Sequence, residues 1–205
     1  MSDDNCWKCG HASKESLFCS YCSSLQAPIP DYFRFMGLER RLSLDPNELQ
    51  QRFYDLSRQI HPDRFLRRTP NEQRYSLEAT ALLNDAYRTL RDPVLRAEYV
   101  LKEEGFEAGE RQSNNVPPEL LEEVFELNMT LEGLRDGDSA VRAELEAALA
   151  RFRSIRNGID GELRALYASY DQDRRRETLV EIRQVLDRRR YVQNLVGEVE
   201  KEFIA

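Results

Sequence analysis

Histidine is nearly absent from this chain: its 205 residues contain two, beside one tryptophan and four cysteines. With so few imidazoles and no glycine-rich phosphate loop, no convergent reactive set stands out, and the chain is not expected to be an enzyme. No apolar run approaches the roughly 20 residues needed to span a bilayer, so no membrane partner is expected. The first residues, Met1-Ser2-Asp3-Asp4-Asn5, are acidic. They carry neither a signal-peptide apolar core nor the arginine-rich pattern of an organelle presequence. The expectation is a compartment that keeps thiols reduced, most simply the cytoplasm. Glycine and proline number only 9 and 8, against 33% charged and 40% hydrophobic residues. That balance, rich in Leu, Glu, Arg and Ala, predicts an all-α protein. A net charge of −7 argues against binding nucleic acid over the whole surface.

The cysteines that are present are concentrated. All four fall within residues 6–22, as Cys6-x-x-Cys9 and Cys19-x-x-Cys22. Two such knuckles bring four thiolates round one tetrahedral ion, with the small residues Gly10 and Ser23 beside the turns. The intervening Lys14-Glu15-Ser16-Leu17-Phe18 predicts a short hairpin. A segment this small buries no core of its own, so metal binding would stabilise it directly. Four sulfurs fill the shell and leave no position for water, which makes the site structural. Zn2+ is the favoured ion, with iron as the second choice. The alternative, a pair of disulfides, is disfavoured in a reducing compartment.

Helix signals then follow in order. Gln26-Ala27-Pro28-Ile29-Pro30 reads as a linker. Asp31 caps a short apolar helix, Tyr32 to Met36, that stops at Gly37. Asp45-Pro46, with Glu48 in the first turn, starts a second helix. Its buried stripe is Leu49, Phe53, Leu56 and Ile60, while Arg52, Asp55, Arg58 and Gln59 face solvent. Thr69-Pro70-Asn71-Glu72 opens a third helix with the inner face Tyr75, Ala79, Leu82, Leu83, Ala86, Tyr87 and Leu90, ending near Asp92-Pro93. A fourth carries Leu95, Tyr99 and Leu101 and ends at Gly105. A polar stretch from Glu107 to Pro118 reads as a hinge. Beyond it, a wide apolar face from Leu120 through Phe125 to Leu134 is broken at Asp136-Gly137-Asp138. A long stretch from Val141 to Leu166 contains Gly158 and Gly161, and a last helix runs from Leu179 to Phe203 with Tyr191 on its apolar face. These three amphipathic helices predict a small antiparallel bundle.

Between the second and third helices lies Gln59-Ile60-His61-Pro62-Asp63-Arg64-Phe65. Pro62 removes a backbone donor and turns His61 away from helical dihedrals, so the helix ends here. Asp63 fixes the turn through nearby amides. The plain reading is a helix stop. The sharper one is a rigid polar corner presented for binding, since His61 and Asp63, two apart across a proline, hold each other.

The order and spacing of Asp31-Tyr32-Phe33, Gly37-Leu38, His61-Pro62-Asp63, Asn84-Asp85-Ala86-Tyr87, Leu90-Arg91-Asp92-Pro93 and Arg96-Ala97-Glu98-Tyr99 resemble a J-domain. The continuation through Val100-Leu101 and the helices after it most resemble HscB-type co-chaperones of iron–sulfur cluster assembly. Cys6-Trp7-Lys8-Cys9-Gly10 and Phe18-Cys19 with Cys22 resemble the tetracysteine module of some members. The implied organisation is a zinc-binding module at 1–27, a J-domain at 31–105, a linker at 106–117 and a three-helix scaffold-binding bundle at 118–205.

What this resemblance implies is stimulation of the ATPase of a DnaK/HscA-type chaperone. His61, Pro62 and Asp63 would dock on the chaperone, and the basic residues Arg52, Arg58 and Arg64 would steer association. A second implied task is delivery of the iron–sulfur scaffold protein, through Leu121, Phe125 and Val192 with Glu126 beside them. Leu121 and Phe125, four apart, share a helical face. Core packing is the alternative for each apolar member of that set. The resemblance also implies that the module assists self-association into a homo-oligomer, which no residue pattern here carries. Two other readings stand beside it. One is a general protein-folding J-domain co-chaperone. The other is a zinc-knuckle nucleic-acid-binding protein using Arg174-Arg175-Arg176 and Arg188-Arg189-Arg190, although these runs sit among acids and read as solvated faces.

Overall fold

A computed structural model describes residues 5–13, 16–106, 120–135 and 141–203. The expected hinge from Glu107 to Pro118 and the break at Asp136-Gly137-Asp138 lie outside them, as do Lys14 and Glu15 of the expected hairpin. The described residues form seven α-helices and no β-strand, dividing into two compact units, Met1–Tyr99 and Val100–Ala205. The all-α expectation is met.

In the first unit the helix starts follow their capping residues. Helix α1 (Tyr32–Met36) begins where Asp31 accepts from the Arg34 amide and ends at Gly37, whose φ of 65° is left-handed. Helix α2 (Pro46–Ile60) begins where Asp45 accepts from the Asn47 amide. Helix α3 (Pro70–Arg91) opens on a complete capping box, Thr69 and Glu72 each satisfying the other's backbone. Phe33, Met36, Leu49, Ile60, Ala79, Leu83, Ala86 and Leu90 are buried between these three helices.

Helix α4 (Pro93–Glu103) departs from the expected face. Leu95 is exposed, whereas Arg96, Ala97, Val100 and Leu101 are buried. Tyr99 remains useful: its ring stacks on Tyr32 at 4.5 Å and its hydroxyl accepts from the Tyr32 amide at 3.0 Å. Arg96 is 6% exposed, which a guanidinium tolerates only with its donors paired. Its Nε donates to the Leu42 carbonyl at 2.8 Å, and Nη1 donates to the Leu90 carbonyl at the end of α3. Arg96 thus caps one helix and pins the α1–α2 connection.

The second unit is a bundle in which α6 (Val141–Asp173) packs against both α5 (Leu121–Arg135) and α7 (Arg176–Glu202). Despite Gly158 and Gly161, α6 is continuous over 33 residues, about 50 Å at 1.5 Å per residue. Leu127 of α5, Leu145, Phe152, Ile159 and Leu163 of α6, and Ile182, Leu186, Val196 and Val199 of α7 form the core. In α7 the buried stripe passes through Val192, and Tyr191 falls to its flank.

Two stability measurements check this packing. Arg96→Leu removes the buried charge-assisted bonds to the Leu42 and Leu90 carbonyls and should lower unfolding free energy by about 2–3 kcal/mol in a urea titration. Nothing lies within 4 Å of a Cβ added at Gly158, so Gly158→Ala should stabilise the bundle by about 0.5–1 kcal/mol. No change for Arg96→Leu, or a loss for Gly158→Ala, would contradict these placements.

Candidate functional site

The corner is built by three local requirements. His61 leaves the helix with φ −53° and ψ 128°, the extended geometry that a following proline demands. Pro62 to Phe65 then form one 3-10 turn, with the Arg64 amide bonded to the His61 carbonyl at 3.0 Å. The His61 ring closes on the turn: Nδ1 accepts from the Asp63 amide at 3.3 Å and lies 3.6 Å from the Asp63 carboxylate. That bond leaves the proton of the neutral ring on Nε2. The side chains of His61 and Asp63 keep 54% and 79% of their exposure, so the corner is ordered yet presented.

The corner is held from beneath by residues the sequence pattern did not single out. Phe65 is buried and anchors the turn. The Ser76 hydroxyl donates to the Ile60 carbonyl at 2.6 Å, satisfying the end of α2. The Gln73 amide donates to the carbonyls of Leu66 and Arg68, each at 3.1 Å. Ser76, buried, and Gln73, exposed, sit on the first two turns of α3, where the polarity of Ser76 on an otherwise apolar face was the available signal. Arg52, Arg58 and Arg64 are all exposed. Arg64 donates to the Arg58 carbonyl at 3.0 Å, and Arg58 lies 3.9 Å from Asp55, so Arg58 and Arg64 flank the corner together.

The cysteines converge as their spacing predicts. Cys6 and Cys22 sulfurs are 3.6 Å apart, Cys9 and Cys19 sulfurs 3.7 Å, and all four lie within 4.8 Å of one another. A disulfide is about 2.0 Å long, so neither close pair is bonded, and all four cysteines are free. Four sulfurs held about 2.3 Å from a tetrahedral ion stand about 3.8 Å apart, so the residues fit such an ion. The knuckles repeat one design. In the first, the Cys6 amide donates to the His11 carbonyl and the Gly10 amide to the Cys6 carbonyl; in the second, Cys19 and Ser24, then Ser23 and Cys19, do the same. Gly10 and Ser23 take the same left-handed slot, at φ 73° and 56°. The antiparallel bridges Asn5–Ala12 and Phe18–Leu25 close each knuckle separately. Each of these bridges closes round its own knuckle.

Hydrogen bonds at the sulfurs divide the charge unevenly. Burial opposes the Cys6 thiolate, but the Ser24 hydroxyl and the Cys9 and Lys8 amides outweigh it and lower its pKa to about 5. The His11 amide favours the Cys9 thiolate, yet burial and the neighbouring thiols Cys22, Cys6 and Cys19 push it up to about 12. A divalent cation removes that conflict, because coordination deprotonates every ligand sulfur.

In the second unit the expected apolar patch is partly present. Leu121 and Phe125 are 55% and 67% exposed, and Met129 continues their row one turn on at 57%. Glu126 is exposed beside them and pairs with Arg151 of α6 at 2.7 Å. A groove of about 400 Å³ runs between α5 and α6, lined by Phe125, Met129, Ala147, Ala148 and Phe152 among others. Val192 does not join this patch. Its side chain is fully buried because the α7 register turns it into the core.

The arginine runs are also engaged. Arg174 stacks over Tyr170, and Arg175 pairs with Asp173 at 2.6 Å. Arg176 bonds the Glu104 carbonyl, Arg188 pairs with Glu162, Arg189 with Asp160 at 2.5 Å, and Arg190 with Asp187 at 3.5 Å. No helix among the described residues is long and apolar enough to cross a membrane.

Comparison with known proteins agrees with this geometry. A DnaJ domain model matches residues 31–99. The iron–sulfur cluster co-chaperone protein HscB of Mus musculus is 34% identical over 87% of this chain and 76% of its own length. The Homo sapiens protein of the same name is 33% identical over 97% of this chain and 82% of its own. The crystal structure of human co-chaperone HscB superposes with a TM-score of 0.73 at 32% identity, covering 98% of both chains. Chaperone HscB from Vibrio cholerae gives 0.60 at 26%, covering 83% of this chain and 96% of that one. A J-domain matched by sequence, and likeness to these relatives in sequence and fold over most of the chain, place this chain in the HscB family of J-domain co-chaperones.

Proposed function

We propose that this protein stimulates the ATPase of a DnaK/HscA-type chaperone and delivers to it the scaffold protein on which iron–sulfur clusters are built. The observation that carries the reading is the corner: His61 and Asp63 are exposed and, with half-buried Pro62 between them, locked in one geometry between α2 and α3. A pre-formed turn spends little conformational entropy on docking. Arg52, Arg58 and Arg64, all exposed, steer the corner towards an acidic partner surface. Leu121 and Phe125, with Glu126 beside them and Met129 continuing the row, form the scaffold-binding patch on α5. Val192 is withdrawn from that patch. The protein works as an adaptor in a compartment where thiols stay reduced, such as the cytoplasm, and performs no catalysis itself.

The four-sulfur site holds Zn2+, favoured over iron because a closed thiolate shell with no open position suits a structural ion. Cys6, Cys9, Cys19 and Cys22 would hold it. When bound, it supplies no reaction chemistry and fixes the two knuckles to each other. A further role of this module in self-association is part of the proposal.

His61→Gln and Asp63→Asn should leave the circular dichroism spectrum unchanged and abolish ATPase stimulation at every salt concentration. Charge removal at Arg52 or Arg58 should weaken stimulation mainly at low salt. Full stimulation by folded His61→Gln would overturn the reading of the corner. Phe125→Ala should weaken scaffold binding by about tenfold in calorimetry with helix content intact. Unchanged affinity would remove α5 from the interface. Metal analysis of purified protein should find near one equivalent of zinc, and metal-free protein with two disulfides would refute the site.

A further inference from the structure

The first knuckle is joined to the corner through five residues of α3. Trp7 and Lys8 are the two residues between the ligands Cys6 and Cys9, so the turn that holds the metal also sets where they point. Trp7, the chain's one tryptophan, is oriented by its Nε1 donating to the Leu25 carbonyl at 2.8 Å. Its ring meets Tyr75 of α3 edge-on, with centroids 6.2 Å apart. Arg74 lies over the Tyr75 ring at 4.9 Å. Glu72, one turn before, is 3% exposed and bonds the Thr69 hydroxyl at 2.8 Å. Burial disfavours its charge, but the Thr69 hydroxyl and amide, then Lys8 and Arg68, outweigh burial and hold its pKa below the ordinary value.

The same stretch grips the corner with its alternate residues. Tyr75 meets Trp7 of the module, whereas Gln73 and Ser76 hold the carbonyls of Leu66, Arg68 and Ile60. The first two turns of α3 are therefore clamped between the knuckle and the loop that carries His61, Pro62 and Asp63. An exposed helix start frays readily, and any fraying here would release Gln73 from Leu66 and Arg68.

We infer that the metal-held knuckle braces the corner, with Trp7 acting as a positioning residue that keeps the first two turns of α3 closed on the loop. The module is then more than an appendage: an ion bound at four sulfurs keeps in shape a surface built by other residues. That the corner docks on a chaperone rests on the function proposed above; the bracing itself does not.

The test reads geometry rather than activity, on the full metal-loaded chain with no chaperone present. Amide hydrogen exchange by NMR reports Arg64 and Arg68, whose amides are bonded to His61 and Phe65 within the corner. Tyr75→Ala should retain zinc, shift Trp7 fluorescence to the red, and speed exchange at Arg64 and Arg68 by about tenfold. Trp7→Ala, which leaves α3 untouched, should speed the same two amides while the Leu83 and Ala86 amides keep their wild-type rates. A purely structural weakening would move all of these amides together and would overturn the inference. So would wild-type rates at Arg64 and Arg68 in either zinc-loaded variant. Loss of ATPase stimulation for other reasons leaves this result unaffected.

Discussion

The arrangement of the first unit depends on one hydrogen bond, from the Ser76 hydroxyl to the Ile60 carbonyl. Pro62 cannot continue α2, and it leaves the last carbonyls of that helix without intrahelical donors. Ser76 supplies a donor from inside the α2–α3 interface, in a place water does not reach. The chain can then turn sharply at His61 without stranding a buried acceptor. Phe65 plugs the turn and Gln73 ties its far end, so a loop of few residues has one conformation. The exposure of His61 and Asp63 follows from that economy, because every inward position is already taken.

Burial of polar groups elsewhere obeys the same rule. Arg96 enters the core because its guanidinium donates to the carbonyls of Leu42 and Leu90. Glu72 enters because Thr69 completes a capping box around it. The tetracysteine module has almost no apolar core, and its sulfurs disagree about charge until a cation joins them. A binding site for a dication and a folding requirement are therefore the same feature there. The α5 row runs the other way: Leu121, Phe125 and Met129 stay exposed at a cost in apolar surface that the bundle core does not recover. That cost is the physical mark of the proposed scaffold interface.

Much of this was legible in the sequence where the signal is local. Asp31, Asp45-Pro46 and Thr69-Pro70 state helix starts in cap chemistry, and α1, α2 and α3 begin there. The cysteine spacing announced four converging sulfurs. Signals that depend on register or on distant packing were less readable. On α7, a 3.6-residue period carried over many turns moved Val192 inward and Tyr191 to the flank, so a match by position failed. On α4, Leu95 looked like core but is exposed, because nothing local reveals the distant carbonyls of Leu42 and Leu90 that draw Arg96 inward. Gln26 read as linker, yet it is buried and bonds Ser24 through its side-chain amide. The Trp7–Tyr75 contact joins residues that no periodicity relates.

The central claim is that one molecule couples the corner to a client-bearing bundle. Its most direct measurement is the steady-state ATPase rate of a DnaK/HscA-type chaperone with this protein, with scaffold protein, and with both. The account predicts a rate with both that exceeds the rate with either alone. A rate with both no higher than that with this protein alone would contradict it.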